Sequence, residues 1–312
     1  MWLWLALAVL AYFVIRWYRE RQTVDNLREK HVLITGCDSG FGNQLARQLD
    51  LLGLRVLAAC LTQEGADKME EVTSDRLKTT ILDVTSTESV AAATEWVKEQ
   101  VGHRGLWGLV NNAGILLFMG PNEWLTKDNF KNVLEVNLLG AVDVTLHLLP
   151  LLRKAQGRVV NVSSIAGRVA YSGGGYSPSK FALEAFSDSL RRELRPFGVK
   201  VSIIEPGNFQ TGIKVLPPTI LWKKLPAEIR ELYGVEYLNN FHKMFFGSWW
   251  INKDMHLVTD CMEHALISRY PRTRYAAGWD SKFIFIPLSY LPASWVDYIT
   301  TYSGVKPAKA LY

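Results

Sequence analysis

The 312-residue sequence predicts an α/β fold: one domain built on a doubly wound parallel sheet, with an apolar segment before it and an extension after it. Three observations predict this. As far as Pro206-Gly207, short apolar runs alternate with helical patterns, as repeated β-α-β units require. A glycine-rich turn, Thr35-Gly36-Cys37-Asp38-Ser39-Gly40-Phe41-Gly42, follows the first full run and opens a helix. A second turn motif, Asn111-Asn112-Ala113-Gly114, closes the fourth run at the same sheet edge.

The N-terminus differs in kind from the rest. Trp2 through Ile15 is almost wholly apolar, Arg16, Arg19 and Arg21 follow, and Tyr12, Trp17 and Tyr18 suit headgroup level. Residues 1–18 therefore read as a membrane anchor. An interfacial helix is the other reading, because the run lies near the lower limit of roughly 17 residues for a span. No basic segment precedes it and no small-residue cleavage site follows, which argues against a cleaved signal peptide. The arginines favour a cytosolic position for the rest of the chain, with a lumenal one as the alternative.

After a polar linker over residues 19–30, the strand candidates are His31 to Ile34, Arg55 to Ala59, Lys78 to Leu82, Leu106 to Val110, Arg158 to Val162 and Val199 to Ile204. Gln44 to Leu52, Thr87 to Val101, Asp128 to Leu139 and Ser179 to Arg195 carry apolar residues at helical spacing. The sheet core spans residues 31–211. Residues 212–312 form the extension, helical from about Ala227 to Phe246 and suited to cover the carboxyl edge of the sheet. Phe283 to Ile299 is apolar but interrupted by Pro287 and Pro292, so it reads as a membrane-facing hairpin or as ordinary packing.

Composition excludes several classes. The net charge of +5 comes from scattered Lys and Arg, which fits an anionic ligand or a membrane surface and gives no sign of nucleic-acid binding. Cys37, Cys60 and Cys261 have neither zinc spacing nor an even number, so reduced thiols and no metal are expected. His147, His242 and His256 show no ligand spacing.

Four motifs carry chemistry. In the glycine turn, Gly36, Gly40 and Gly42 permit close approach of backbone to a pyrophosphate, with Ser39 and Phe41 at the helix N-terminus. Asp83, in Leu82-Asp83-Val84, can accept a bond from an adenine amino group or cap a turn. Asn111, Ala113 and Gly114 would line the floor beside it. Tyr176 and Lys180 are four apart on one helical face, so the ammonium can lower the phenol's pKa and ready it to move a proton.

These motifs, with Asn137, Ser164 and Pro206-Gly207 in this order, resemble the short-chain dehydrogenase/reductase family over about Lys30 to Thr211. The fuller wording of Ile34 to Gly42, Gly105 to Gly114 and Glu184 to Glu193 is similar to the membrane-bound retinol and hydroxysteroid dehydrogenases. So are Pro271 to Tyr275 and Ser289 to Ala293. The resemblance implies a Rossmann fold with Tyr176 as acid/base for hydride transfer and Lys180 lowering its pKa and binding the nicotinamide ribose. It also implies that Ser164 hydrogen-bonds the substrate oxygen, that Asn137 holds a water of a proton relay, and that Pro206 and Gly207 border the cofactor. Ser164 stands one residue closer to Tyr176 than is usual in the family, an interval Ser163 would satisfy. Aligning the serine pair with a one-residue deletion in Tyr171 to Gly175 favours Ser164, and alternation allows only one of the two to reach substrate.

The end of the second strand, Cys60-Leu61-Thr62-Gln63-Glu64, offers no Arg or Lys for an extra phosphate, and Asp38 would repel one. NAD is therefore expected rather than NADP. Leu116, Leu117, Phe118, Tyr171, Phe209, Leu216, Trp222, Phe245, Trp249 and Trp250 are candidates for an apolar tunnel, each with core packing or membrane contact as the alternative. The expected activity is NAD-dependent oxidation of a hydrophobic alcohol, a retinoid or hydroxysteroid, at the endoplasmic reticulum membrane. The alternatives are an NADPH-dependent reductase of the matching aldehyde or ketone and a non-catalytic nucleotide- or lipid-binding protein. A homodimer is a further implication of the resemblance.

Overall fold

In the computed structural model, which describes residues 2–171, 173–213, 215–246, 251–301, 304 and 306–311, apolar runs and helices alternate as the sequence predicts. α1 (Trp2–Glu20) leads to β1 (His31–Thr35), α2 (Gly40–Leu51), β2 (Arg55–Cys60), α3 (Gln63–Glu70), β3 (Lys78–Ile81), α4 (Thr87–Val101) and β4 (Gly108–Asn111). There follow β5 (Leu117–Phe118), α5 (Lys127–Leu134), a π-helical turn (Glu135–Gly140), α6 (Ala141–Ala155), β6 (Arg158–Val162), α7 (Tyr176–Leu194) and β7 (Lys200–Pro206). The extension holds β8 (Val215–Leu216), α8 (Pro218–Lys224), α9 (Ala227–Phe246), α10 (His256–Ile267), β9 (Arg274–Ala277), α11 (Ile286–Leu288) and α12 (Ala293–Thr301).

The main sheet runs β3-β2-β1-β4-β6-β7-β9 with every pair parallel. Its order reverses between β1 and β4, so the crevice of a doubly wound fold opens at their carboxyl ends. Side chains alternate between two cores. Val32, Ile34, Val56, Val110 and Val160 pack on one face with α2 and α10. Leu33, Leu57, Leu109 and Val159 pack on the other with residues of α4, α6 and α7. β5 and β8 form a separate parallel pair that joins the segment after β4 to the extension.

Four elements depart from the sequence expectation. β9 escapes notice because it is only four residues long, Arg-Tyr-Ala-Ala, with one charged and two small side chains and so no apolar run, and β7 supplies its register. The fourth strand begins at Gly108 rather than Leu106, because Leu106 and Trp107 bond to the carbonyls of Leu151 and His31. The helix expected to end near Leu139 passes instead through the π turn and resumes as α6. The helix over 227–246 breaks at Gly234, whose φ of 78° no L-residue adopts cheaply. Pro287 and Pro292 confine the last apolar stretch to the short α11 and α12.

Among the described residues one helical run, Lys127–Ala155, is long and apolar enough to cross a membrane. It is a core element: Val144, Leu148, Leu151 and Leu152 are buried against the sheet. α1 is the opposite case, with Trp2, Trp4, Leu10, Phe13 and Ile15 all exposed. Its foot is tied to the body where Arg272 pairs with Glu20, His264 Nε2 meets the Glu20 carbonyl at 2.8 Å, and Val24 N donates to Ile267 O.

Arg158 anchors the extension from within. Its buried guanidinium donates to the carbonyls of Leu266 and Ser268, each at 2.7 Å, and lies 4.5 Å from the Trp107 ring centroid. Replacing it by Met removes both donors from buried carbonyls. Arg158→Met is expected to lower the unfolding free energy by about 2–4 kcal/mol in denaturant titration of the detergent-solubilised protein.

Candidate active site

The sheet edge first builds a phosphate cradle. Gly36 and Gly40 have φ of 70° and 64°, the left-handed region that lets the chain turn tightly from β1 into α2. Asn112 closes the turn from the β4 side. Its Nδ2 donates to the carbonyls of Thr35 and Gly36 at 2.9 and 3.1 Å, while Thr35 Oγ1 accepts from the amides of Asn112 and Ala113 at 3.1 and 3.0 Å. A Cβ on Gly42 would stand 2.4 Å from Asn112 Nδ2 and 2.5 Å from Gly36 O. Ser39 caps α2 in an extended conformation, and Phe41 packs edge-on to Phe209 at 5.6 Å.

Asn112 was not among the residues expected at the cofactor, although the doubled asparagine was the available signal. Asn111, the expected one, turns the other way because strand neighbours alternate. Its Nδ2 donates to Thr145 Oγ1 and Asn161 Oδ1, each at 2.8 Å, so its side chain braces strands and helix, and the face toward the turn falls to Asn112. Asp83 Oδ1 accepts from Thr85 N and Thr85 Oγ1, capping the turn after β3.

Asp38 lies in the glycine turn, yet its carboxylate reaches the end of β2. It accepts from Leu61 N at 2.8 Å, Thr62 N at 3.0 Å and Thr62 Oγ1 at 2.7 Å. A carboxylate from the turn after β1 thus stands at the end of the neighbouring strand β2. The glycine cradle and the helix N-terminus fit the pyrophosphate of a dinucleotide.

The proton-moving groups gather at the carboxyl ends of β4 and β6. The buried phenol of Tyr176 lies beside Ser164, whose Oγ accepts from Ala166 N at 3.1 Å. Ser163 points into the protein, donating to Glu184 Oε1 at 2.8 Å. Of the two serines, Ser164 is therefore the one beside the tyrosine. Lys180, only 4% exposed, donates from Nζ to Val162 O at 2.7 Å and stands 5.6 Å from the Tyr176 ring centroid. Gly114 lies beside this ammonium: a Cβ there would be 3.7 Å from Lys180 Nζ and 3.4 Å from Asn137 Oδ1.

Asn137 sits on the π turn, which interrupts the helix and aims the amide inward. Its Oδ1 accepts from Ile115 N at 2.8 Å, and its Nδ2 donates to Ile115 O at 2.9 Å and Ser179 Oγ at 3.1 Å. At the end of β7, Gly207 N donates to Ala277 O, and a Cβ on Gly207 would stand 2.0 Å from Asp280 Oδ1.

Burial governs the charges. It pushes Lys180 down to about 8, an effect that Glu184 opposes. It pushes Glu184 up to about 7, with Arg274 and Ser163 pulling the other way. Tyr176 moves upward through burial, with the Ser164 hydrogen bond opposing, so the expected depression is outweighed by desolvation. Glu184 and Arg274 were not singled out in the sequence. Nothing in local spacing brings β9 to α7.

The apolar candidates divide. Leu117 and Phe118 in β5 pair with Val215 and Leu216 in β8, and Tyr171 faces Phe285 at 5.4 Å. Trp222 instead joins Trp124, Tyr233 and Tyr237 in an aromatic cluster inside the cover. Phe209 packs against the core with Phe41. Trp249, Trp250 and the side chain of Phe245 lie outside the described residues. Among the described residues there is no metal-ligating cluster, and Cys37, Cys60 and Cys261 are free.

A cradle for a dinucleotide joined to a tyrosine, serine and buried lysine defines a nicotinamide-dependent oxidoreductase. The short chain dehydrogenase family model matches residues 30–216. A 17-beta-hydroxysteroid dehydrogenase type 6 from Bos taurus and a retinol dehydrogenase 16 from Rattus norvegicus are each 58% identical to the chain, and each alignment covers all of both proteins. A short-chain dehydrogenase from Streptomyces avermitilis superposes with a TM-score of 0.71 at 28% identity, over 86% of this chain and 96% of its own. The chain belongs to the short-chain dehydrogenase family and is an oxidoreductase enzyme that uses a nicotinamide cofactor.

Gly42→Ala is expected to weaken reduced-cofactor binding by at least about tenfold, read from nucleotide fluorescence, because the new methyl must displace Asn112 or the Gly36 carbonyl.

Proposed function

We propose that the enzyme oxidises a hydrophobic secondary or allylic alcohol, a hydroxysteroid or retinol, with NAD. The observation that carries this reading is the placement of Tyr176 beside Ser164 and buried Lys180, at the carboxyl edge of the sheet. The full-length likeness to a hydroxysteroid and a retinol dehydrogenase supports the substrate class.

In this reading Gly36, Ser39, Gly40, Phe41, Gly42, Asp83, Asn112, Ala113, Gly114, Pro206 and Gly207 would border the cofactor, whose nicotinamide would supply the hydride acceptor. Tyr176 takes the hydroxyl proton as the carbonyl forms. Ser164 donates to the substrate oxygen and stabilises the charge that develops there. Lys180 favours the ionised phenol and binds the nicotinamide ribose, while Asn137 supports the route by which the proton leaves. Asp38 holds a negative charge at the end of β2, which favours ribose hydroxyls over an added phosphate.

α1, with its exposed apolar surface, is assigned in the same reading to the endoplasmic reticulum membrane, leaving residues 31–211 and the 212–312 cover on the cytosolic side. Phe283, Tyr290, Trp295 and Tyr298 add exposed apolar surface in the extension. A substrate dissolved in lipid would then reach the site without crossing water.

Membranes carrying the full chain are expected to produce NADH from all-trans-retinol or an androstane 3α-alcohol. No turnover of either alcohol alongside demonstrable NAD binding would overturn the reading. Tyr176→Phe should lower kcat by about a thousandfold while leaving NADH binding within a few fold. Asp38→Ala should raise the preference for NADP relative to NAD by at least about tenfold, measured as the ratio of kcat/KM values.

A further inference from the structure

The buried charges behind Lys180 are not used by the mechanism above. Glu184 is one helical turn beyond Lys180 on α7 and is 5% exposed. Its Oε1 accepts from Ser163, and its Oε2 is paired with Arg274 Nη1 from β9. The same Nη1 reaches Glu205 Oε1 of β7 at 2.7 Å, and Arg274 Nη2 reaches Asp188 Oδ2 of α7 at 2.8 Å. Arg191 pairs with Asp188 at 3.2 Å. Arg168, in the turn after Ser164, stands 3.4 Å from Glu205, donates to Ser289 Oγ at 3.2 Å and covers the Tyr290 ring. One guanidinium from the extension therefore binds three carboxylates, the nearest of which shares a helix face with the lysine.

We propose that Glu184, held ionised by Arg274, is a positioning residue that keeps the Lys180 ammonium charged beside Tyr176, so that the extension sets the charge state of the catalytic centre. This rests on the role given to Lys180 above. The physical reason is desolvation. A buried ammonium with only a carbonyl acceptor tends to lose its proton, and a carboxylate one turn away opposes that loss. Two buried carboxylates, Glu184 and Glu205, face each other across Arg274. Without the guanidinium between them, one takes up a proton, and Lys180 loses its nearby counter-charge. Burial pushes Glu184 up and Lys180 down, and the coupling works against both shifts: Arg274 pulls Glu184 back and Glu184 pulls Lys180 back.

The test is the pH dependence of kcat/KM for alcohol oxidation by the full-length membrane-bound enzyme. Glu184→Gln keeps the side chain's shape and its capacity to accept from Ser163, and removes the charge. Losing that charge lowers the Lys180 pKa, so the alkaline limb should move to lower pH by about one unit. Arg274→Met should move it the same way, and Arg274→Lys should restore most of the wild-type profile. An alkaline limb that stays in place in Glu184→Gln, whether activity is unchanged or falls uniformly, overturns the proposal and leaves a structural brace. Tyr176→Phe, assayed in parallel, separates the two readings. If it retains turnover, the acid/base assignment fails. If it is inert while the Glu184→Gln profile is unshifted, only the coupling fails.

Discussion

The site depends on one constraint: the carboxyl ends of β1 and β4 must part just enough to admit a dinucleotide while remaining fastened to each other. Asn112 and Thr35 accomplish this with bonds between the two turns, and the glycines keep the space between them free of side chains. Every later feature is referred to this crevice. Asp38 ties its β1 edge to the end of β2, Gly114 borders Lys180 and Asn137, and β6 delivers Ser164 to Tyr176 at its far side.

A second theme is the use of buried charge. Lys180 lies in a setting that disfavours its ammonium, and Glu184 in one that disfavours its carboxylate. Each group makes the other's charged form less costly, and Arg274 joins this pair to Glu205 and Asp188. The same network runs through Arg168 to Ser289 and Tyr290, so the loop that holds Ser164 is fastened to the extension.

Apolar surface is distributed with equal selectivity. The Lys127–Ala155 run, apolar enough to span a membrane, spends that character on the sheet. Among its described side chains Trp2, Trp4, Leu10, Phe13 and Ile15 of α1 are exposed, and its foot is fixed through Glu20 to Arg272 and His264. Exposed aromatics recur at Phe283, Tyr290, Trp295 and Tyr298.

Much of this was determined by the sequence alone. Six strands, the glycine turn, and the Tyr176 and Lys180 pair were legible because alternation, left-handed turns and helical spacing are local properties written in a few adjacent residues. Tertiary structure decided what depends on distant partners. β9 is a strand because β7 gives it a neighbour, and Asn112 rather than Asn111 meets the glycine turn because the register points it there. Ser164 rather than Ser163 stands by Tyr176 because Ser163 is taken by Glu184. Asp38 serves the end of β2, and Arg274 serves Glu184, because folding brings together residues 23 and 90 positions apart along the chain. Such pairings have no local signature, since what selects them is the cost of leaving a buried polar group alone.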